Sequence, residues 1–462
     1  MPTLLVIDRE DAYLPKGWVS AILPDFAKPT DYEKSGRLWK PVTVPDSPEL
    51  SKKRASEPLA LSASGLLYKE GSITGLSDPA RIIKERLEIE SSSLKKVPGP
   101  EGLDRSHSTV WDYGPGRTYS TPQAAFDAIL SQEGSTPFSE THYVRGWSGT
   151  YGQGASGYVL YVNTVAPACG HPLVIDVESD EDVTLDDEGG DGCLVGSDVS
   201  RVRAEGLRLV RGGAAIVPTD NAMVADWRVS RCVMDGSAGD MGIGVFTYLA
   251  DRLEVNNCRI TGGSIEALGT LGTYPSDYRN LVLVRGCLLE GHYQSIMSNS
   301  ELTLVLVNNT MAARRHGVKH EGLKPFTLLM ANNIFVPADP EIECIHLADQ
   351  GPEGLSLLWS DFNCFYPDEG WTAHFNGEDK TLDQWRALYG RDSNSIDCDP
   401  LLDGDYVPVK GSPCLGAGAA LDSSGFSGKK RASSIDMGYE QVTEPLVPAV
   451  TARRMPEIVR RT

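Results

Sequence analysis

The 462-residue sequence has no apolar run approaching the roughly 18 residues that a membrane-crossing helix needs, so no membrane insertion is expected. It is short of positive charge. Its 43 Lys and Arg stand against 63 Asp and Glu, a formal net charge of −20. Nucleic-acid binding draws its affinity from cations that neutralise phosphates, so no nucleic-acid partner is expected. The same balance disfavours an acidic polysaccharide unless cations or basic pockets intervene. The first residues, Met1-Pro-Thr-Leu-Leu-Val-Ile-Asp-Arg-Glu10, carry no basic leader and no small-residue cleavage site, and a signal peptide is not expected. Nine cysteines form no even framework, and reduced thiols are expected. Phosphate-binding Gly loops, zinc-ligand spacings, nucleophile elbows and EF-hand loops are missing too.

What the sequence does contain is repetition. Between residues 200 and 365 one short phrase recurs: Ala204-Glu-Gly-Leu207, Val229-Ser-Arg-Cys232, Val255-Asn-Asn-Cys258, Val284-Arg-Gly-Cys287, Val307-Asn-Asn-Thr310, Ala331-Asn-Asn-Ile334 and Trp359-Ser-Asp-Phe362. Counted between final residues, the spacings are 25, 26, 29, 23, 24 and 28. Runs such as Leu281-Val-Leu-Val284 and Thr303-Leu-Val-Leu-Val307 precede the echoes. They are too short for helices and rich in Val and Leu, which suits strands. A repeat of about 25 residues holds roughly three such strands, and only a stack of repeats can bury their inward side chains. A leucine-rich repeat has a similar period but needs a regular Leu/Asn consensus and a helical segment, neither of which is present. The expected fold is all-β: a single-stranded right-handed parallel β-helix, a solenoid, with short capping helices.

In that reading Cys232, Cys258 and Cys287 share one inward file, continued by Leu207, Thr310, Ile334 and Phe362. Asn256, Asn308 and Asn332 stack at a corner, as do Asn257, Asn309 and Asn333, because Asn tolerates left-handed backbone and its amide can bond to its neighbour one turn away. Three cysteines in a file suit either a metal or a small apolar ladder. No His or carboxylate shares their pattern, which favours the ladder.

The chain divides into four parts. Residues 1–105 lack the repeat and are expected to be an irregular anchoring or assembly segment, with one helix from Ala80 to Ile89 capped by Asp78. Residues 106–365 hold the coil, opened by a helix that Thr121 caps and Pro122 begins. That helix is placed as a lid over exposed strand edges. Residues 366–440 form the far end, with a helix from Leu382 to Tyr389 capped by Thr381. Residues 441–462 are a Pro- and Arg-bearing tail.

Gly116 to Ile129, followed by Gly146-Trp-Ser-Gly-Thr-Tyr151, resembles the entry of pectate-lyase-like right-handed β-helix proteins. Asn308-Asn-Thr310, Asn332-Asn-Ile-Phe335 and Asp361-Phe-Asn-Cys-Phe365 resemble their inner turns. Trp385, Asp399-Pro400, Ser412-Pro413 and Asp436-Met-Gly438 resemble their exit. The resemblance covers about 111–440. It implies extracellular glycan binding or chemistry, in lyases, hydrolases or trimeric phage spikes.

The densest basic motif is Arg314-Arg-His-Gly-Val-Lys-His-Glu321. Elimination from a uronate needs a base and a positive group beside the carboxylate. Arg315, His316, Lys319 and His320 are therefore the catalytic candidates, and Arg315-His-Gly317 partly resembles a motif of alginate- and chondroitin-cleaving β-helix lyases. That resemblance implies Ca²⁺ only if the chain is a lyase; otherwise no cofactor is expected. The alternative for the motif is a solvated basic loop paired with acids on adjacent turns. Hydrolysis needs two carboxyl groups, and Asp235, Asp240, Glu266 and Glu290 are candidates. Trp147, Tyr151, Tyr274, Tyr278, Tyr293 and Trp371 are loop aromatics that can stack on sugars.

A fold found mostly outside cells, on a chain with no export signal, suggests release by lysis. The expected role is a structural or receptor-binding component of a phage virion (tail spike, fibre or capsid decoration), made in the host cytoplasm. It would contact other virion proteins through residues 1–105, form a homo-oligomer (a trimer by analogy) and bind a cell-surface polysaccharide. The alternatives are a polysaccharide lyase or hydrolase and a secreted surface protein.

Overall fold

The computed structural model describes residues 108–419 and 436–440, less connecting stretches within that span, and five short strands before residue 70. Those early strands form a three-stranded antiparallel sheet (Val6–Ile7, Tyr32–Ser35, Leu38–Pro41) and a two-stranded pair (Leu59–Leu61, Leu67–Lys69). The helix expected at Ala80 to Ile89 and the tail 441–462 lie outside the described residues.

From Ser108 onward, strands fall into three sheets of ten. After the first few strands the chain visits them in rotation, so each strand pairs with the one a full circuit away, in parallel. The first sheet runs from Ser108–Tyr113 to Leu355–Asp361, the second from Gly149–Tyr151 to Ile396–Asp397. The third runs from Tyr158–Asn163 to Ala373–Phe375 and ends on the antiparallel strand Glu378–Lys380. This arrangement fits a solenoid of stacked three-strand turns.

Alternation along each strand sends one set of side chains to a shared interior. Leu253, Val282, Leu304 and Leu328 stand in register on the first sheet. Met234, Ile260, Leu289, Met311 and Phe335 do so on the second, and Leu268, Ile296, Val318 and Ile345 on the third. All join one buried cluster. At roughly 25 cal/mol per Å² of apolar surface removed from water, such rows are the main source of stability.

The corner between the first and second sheets requires left-handed backbone. Gly206, Arg231, Asn257, Gly286, Asn308, Asn332 and Phe362 occupy it, with φ between 51° and 74°. The residue after each points inward: Leu207, Cys232, Cys258, Cys287, Asn309, Asn333 and Asn363. This corrects the expected file, which slips by one residue after Cys287. Thr310, Ile334 and Phe362 are not its members; Asn309, Asn333 and Asn363 are. The two Asn rows are corrected too, because Asn256 pairs with Ser230 and Arg285 one position before the corner. The inner amides form a ladder. Asn309 donates both its backbone N–H and its Nδ2 to Asn333 Oδ1 at 3.0 Å, and Asn333 does the same to Asn363 Oδ1 at 3.0 Å. Asn309 Oδ1 accepts from the Cys287 amide at 3.0 Å. The eight cysteines among the described residues are free thiols.

Helix α1, Pro122–Glu133, packs on the opening strands with Ala125, Phe126 and Ile129 buried, and Thr121 Oγ1 accepts from the Ala124 amide at 3.1 Å. Helix α2, Leu382–Tyr389, carries a reciprocal cap between Thr381 and Gln384. Its buried Trp385 donates Nε1–H to Asp392 at 3.1 Å, and the hydroxyls of Ser360 and Ser395 donate to the same carboxylate. Residues 399–419 and 436–440 then return along the stack. Gly438 N–H donates to Asn332 O at 2.7 Å, Tyr439 N–H to Thr310 Oγ1 at 3.2 Å, and Ala419 exchanges two bonds of 2.7 Å with the Asn332 side chain. No helix among the described residues is long and apolar enough to cross a membrane.

Candidate functional site

The basic motif places its members on both sides of one short strand of the third sheet. In Val318–His320, Val318 and His320 point inward and Lys319 outward. His320 is fully buried, its ring stacked on Phe326 with centroids 4.3 Å apart. This corrects its reading as an accessible catalytic group: strand alternation sends it to the core. His316, just before the strand, is almost fully buried, yet it borders the outer face.

Parallel register lines up Met297, Lys319, His346 and His374 on successive turns, closed by Asp379 on the antiparallel strand. Neighbouring rungs of a sheet lie about 4.8 Å apart. His346 and His374 stack with centroids 4.8 Å apart, and His316 lies 4.9 Å from His346. Each outward group has a carboxylate. Lys319 pairs with Glu321, His374 Nδ1 meets Asp379 Oδ1 at 2.6 Å, and His346 Nδ1 donates to Glu343 Oε1. Glu343 Oε1 is also 3.5 Å from His316 Nδ1.

The electrostatics follow from burial. Burial pushes the His316 imidazole down to about 4, against the pull of Glu343, so it is neutral at pH 7. Burial also tends to raise the Glu343 carboxyl, but the His346 hydrogen bond and the two imidazoles hold it below its ordinary range. Glu266, buried on the same sheet, is raised by desolvation, with Lys319 opposing and Glu321 adding to the shift. The face thus joins a cation, a neutral imidazole, a charged carboxylate and a carboxyl biased toward its protonated form.

Two exposed aromatics flank these groups. Tyr293 is 42 % exposed, one turn before Arg315; its hydroxyl accepts from Arg315 Nη1 at 2.5 Å. Trp371, 38 % exposed, accepts at its carbonyl from Cys344 N–H, which places it one turn beyond Glu343. Trp147 and Tyr151 lie elsewhere, at the start of the stack. Arg117 covers the Trp147 ring at 3.2 Å. Tyr151 is buried against Tyr113, its hydroxyl bonded to Trp147 O at 2.5 Å. Tyr151 therefore presents no ring face to a sugar, a correction whose cause is that it anchors the Gly149–Tyr151 strand. Tyr274 and Tyr278 lie outside the described residues.

The three described carboxylates do not converge. Asp235 and Glu290 stand two turns apart on the second sheet, Asp235 paired with Arg208 at 2.7 Å, while Glu266 is on the third. Asp240 lies outside the described residues. A pocket of about 320 Å³ lies between the second sheet and the return segment, lined by Tyr366, Tyr406, Asp399 and Asp403. Both aspartates there accept backbone N–H groups of their own turns, a structural use. Among the described residues, two triads bring metal-ligating atoms within 4.8 Å: His316–Glu343–His346 and Glu133–Glu140–His142. Neither is the all-oxygen cage that calcium prefers.

Sequence reasoning missed His346, His374 and Glu343. Glu343 and His346 share one stretch and His374 lies in another, neither marked by a basic motif, and only register brings them beside Lys319. The chain matches no protein-family model, and no curated protein matches it.

Proposed function

We propose that the chain is a right-handed parallel β-helix protein of a phage particle that engages a cell-surface polysaccharide with the outer face of its third sheet. One observation carries the reading: Lys319, His346 and His374 stand on successive turns, backed by Glu266, Glu321 and Glu343 and flanked by the exposed rings of Tyr293 and Trp371. Rings suit the apolar faces of sugars, and a mixed row of a lysine, imidazoles and carboxylates suits their hydroxyl and acid groups. Anchoring through residues 1–105, assembly into a homo-oligomer and presence in the virion belong to this proposal. They rest on the resemblance to β-helix spikes.

The first test is binding to a panel of bacterial surface polysaccharides. Joint replacement of Tyr293 and Trp371 by Ala is expected to weaken binding at least about 10-fold, since each stacked ring contributes on the order of 1 kcal/mol. Unchanged binding would remove the face from the proposal. Finding no copy of the chain in purified particles would remove the virion.

A lyase reading has its own support in the same row. Lys319, with His346 one turn on and His374 two turns on, is a base and cation set for elimination from a uronate. It predicts that unsaturated uronate ends accumulate during incubation with an acidic glycan and that Lys319→Ala abolishes them. Hydrolysis has less support, because Asp235, Glu266 and Glu290 do not converge.

A further inference from the structure

We infer that His316, Glu343 and His346 form a site for a divalent transition-metal ion, with zinc as its natural probe. The donor set is two imidazoles and one carboxylate, which suits zinc and its neighbours rather than calcium or magnesium. At the usual zinc–ligand distance of about 2.0–2.1 Å, tetrahedral donors sit roughly 3.4 Å apart. Glu343 Oε1 and His316 Nδ1 are 3.5 Å apart, and all three donor atoms lie within 4.8 Å of one another.

The triad is held in place from outside itself. Gly317 and Val318 donate to Cys344 O at 2.9 and 3.1 Å, which ties the backbone beside His316 to the backbone beside Glu343. Ser295 N–H donates to His316 O at 3.0 Å from the preceding turn. His374 stacks on the His346 ring with an interplanar angle of 7°. Ligands fixed by neighbouring turns in this way need little reorganisation on binding.

Metal entry displaces the His346 Nδ1 hydrogen bond to Glu343, and the neutral imidazole then carries its one proton on Nε2. No fourth His, Cys, Asp or Glu joins the triad among the described residues. Three protein donors leave one coordination position for water or a ligand oxygen, the pattern of open metal sites. Lys319 stands one rung from His346. The inference does not rest on the glycan reading; either can fail while the other stands.

The test uses the full chain, stripped with a chelator and titrated with zinc by competition against a chromophoric chelator. One zinc per chain is expected, bound at least about 100-fold more tightly than calcium. Glu343→Gln and His346→Ala are each expected to weaken binding about 10-fold or more, while His374→Ala keeps the stoichiometry. Cobalt substitution is expected to give a tetrahedral d–d spectrum without a thiolate charge-transfer band. A thiolate band would place the ion on cysteine and overturn the site, as would zinc binding that Glu343→Gln leaves intact. Circular dichroism checks each fold; if His316→Ala unfolds, Glu343→Gln decides. Zinc is expected to raise the melting temperature of the parent and not of Glu343→Gln.

Discussion

Asp187 is fully buried just after the strand Val183–Asp186. Burial pushes its carboxyl up to about 6, more than the Gln153 side chain and the Gly192 amide pull it down, and Asp191 and Asp186 add to the rise. Folding therefore favours the protonated form. The favourable contribution is complete below the unfolded value of 3.8 and is lost as pH rises through about 6. Asp187→Asn imitates the protonated group. It is expected to stabilise the protein by about 1–2 kcal/mol at pH 7.5, after discounting for partial screening, and by nothing measurable near pH 4. Denaturant midpoints at the two pH values check this; equal effects at both would show that the charge is not the cause. Asp187 was not legible beforehand as a strained carboxylate. In a chain with 63 acidic residues, only the fold distinguishes the few that are buried.

The corner file argues at the scale of the element. Asn333 accepts two bonds from Asn309 and donates its amide to Leu306 O and Asn363 Oδ1, all at 3.0 Å. Asn333→Ala leaves buried donors and acceptors without partners, and a loss of about 2–4 kcal/mol is expected in urea unfolding. Asn333→Cys is expected to lose less, because Cys258 and Cys287 fill the same place with thiols directed at backbone carbonyls. If both variants lose the same amount, the ladder is not what holds the corner. The repeat itself was readable from short Val- and Leu-rich runs, as were both helix caps, at Thr121 and Thr381. The register slip has a physical reason. Val307 stands where Arg285 and Asn256 stand on earlier turns, facing out, yet it is buried in a cluster that Ala419 packs against. An apolar outward residue imitates an inward one, and the echo shifts by one. The candidate site was legible only in part for a related reason: Lys319 advertised itself in a basic motif, whereas His346 and His374 needed the pairing of strands.

At the scale of the molecule, ten rungs at about 4.8 Å make each sheet roughly 43 Å long. In such a stack each turn touches mainly its neighbours, and stability is close to a sum of nearest-neighbour terms. The return segment breaks that locality, reaching Asn332, Thr310 and, through Asp405, Arg259. Asn332→Ala removes both bonds to Ala419. Amide exchange in 399–419 is expected to quicken about 10- to 100-fold, while the strands from Val202 to Asp235 keep their protection. Uniform acceleration along the chain would mean that the return segment stabilises the whole stack rather than its own end.

The same segment sets where tension would travel. A pull on the chain beyond residue 440 enters the stack at Thr310 and Asn332, not at the last strand, Ile396–Asp397. Met437 and Cys414 also pack with Ile334 and Cys364, so the turn beyond Ile334 shares that load. Force applied at that end would thus enter the side of the stack, spread over several turns, rather than peel the last strand first.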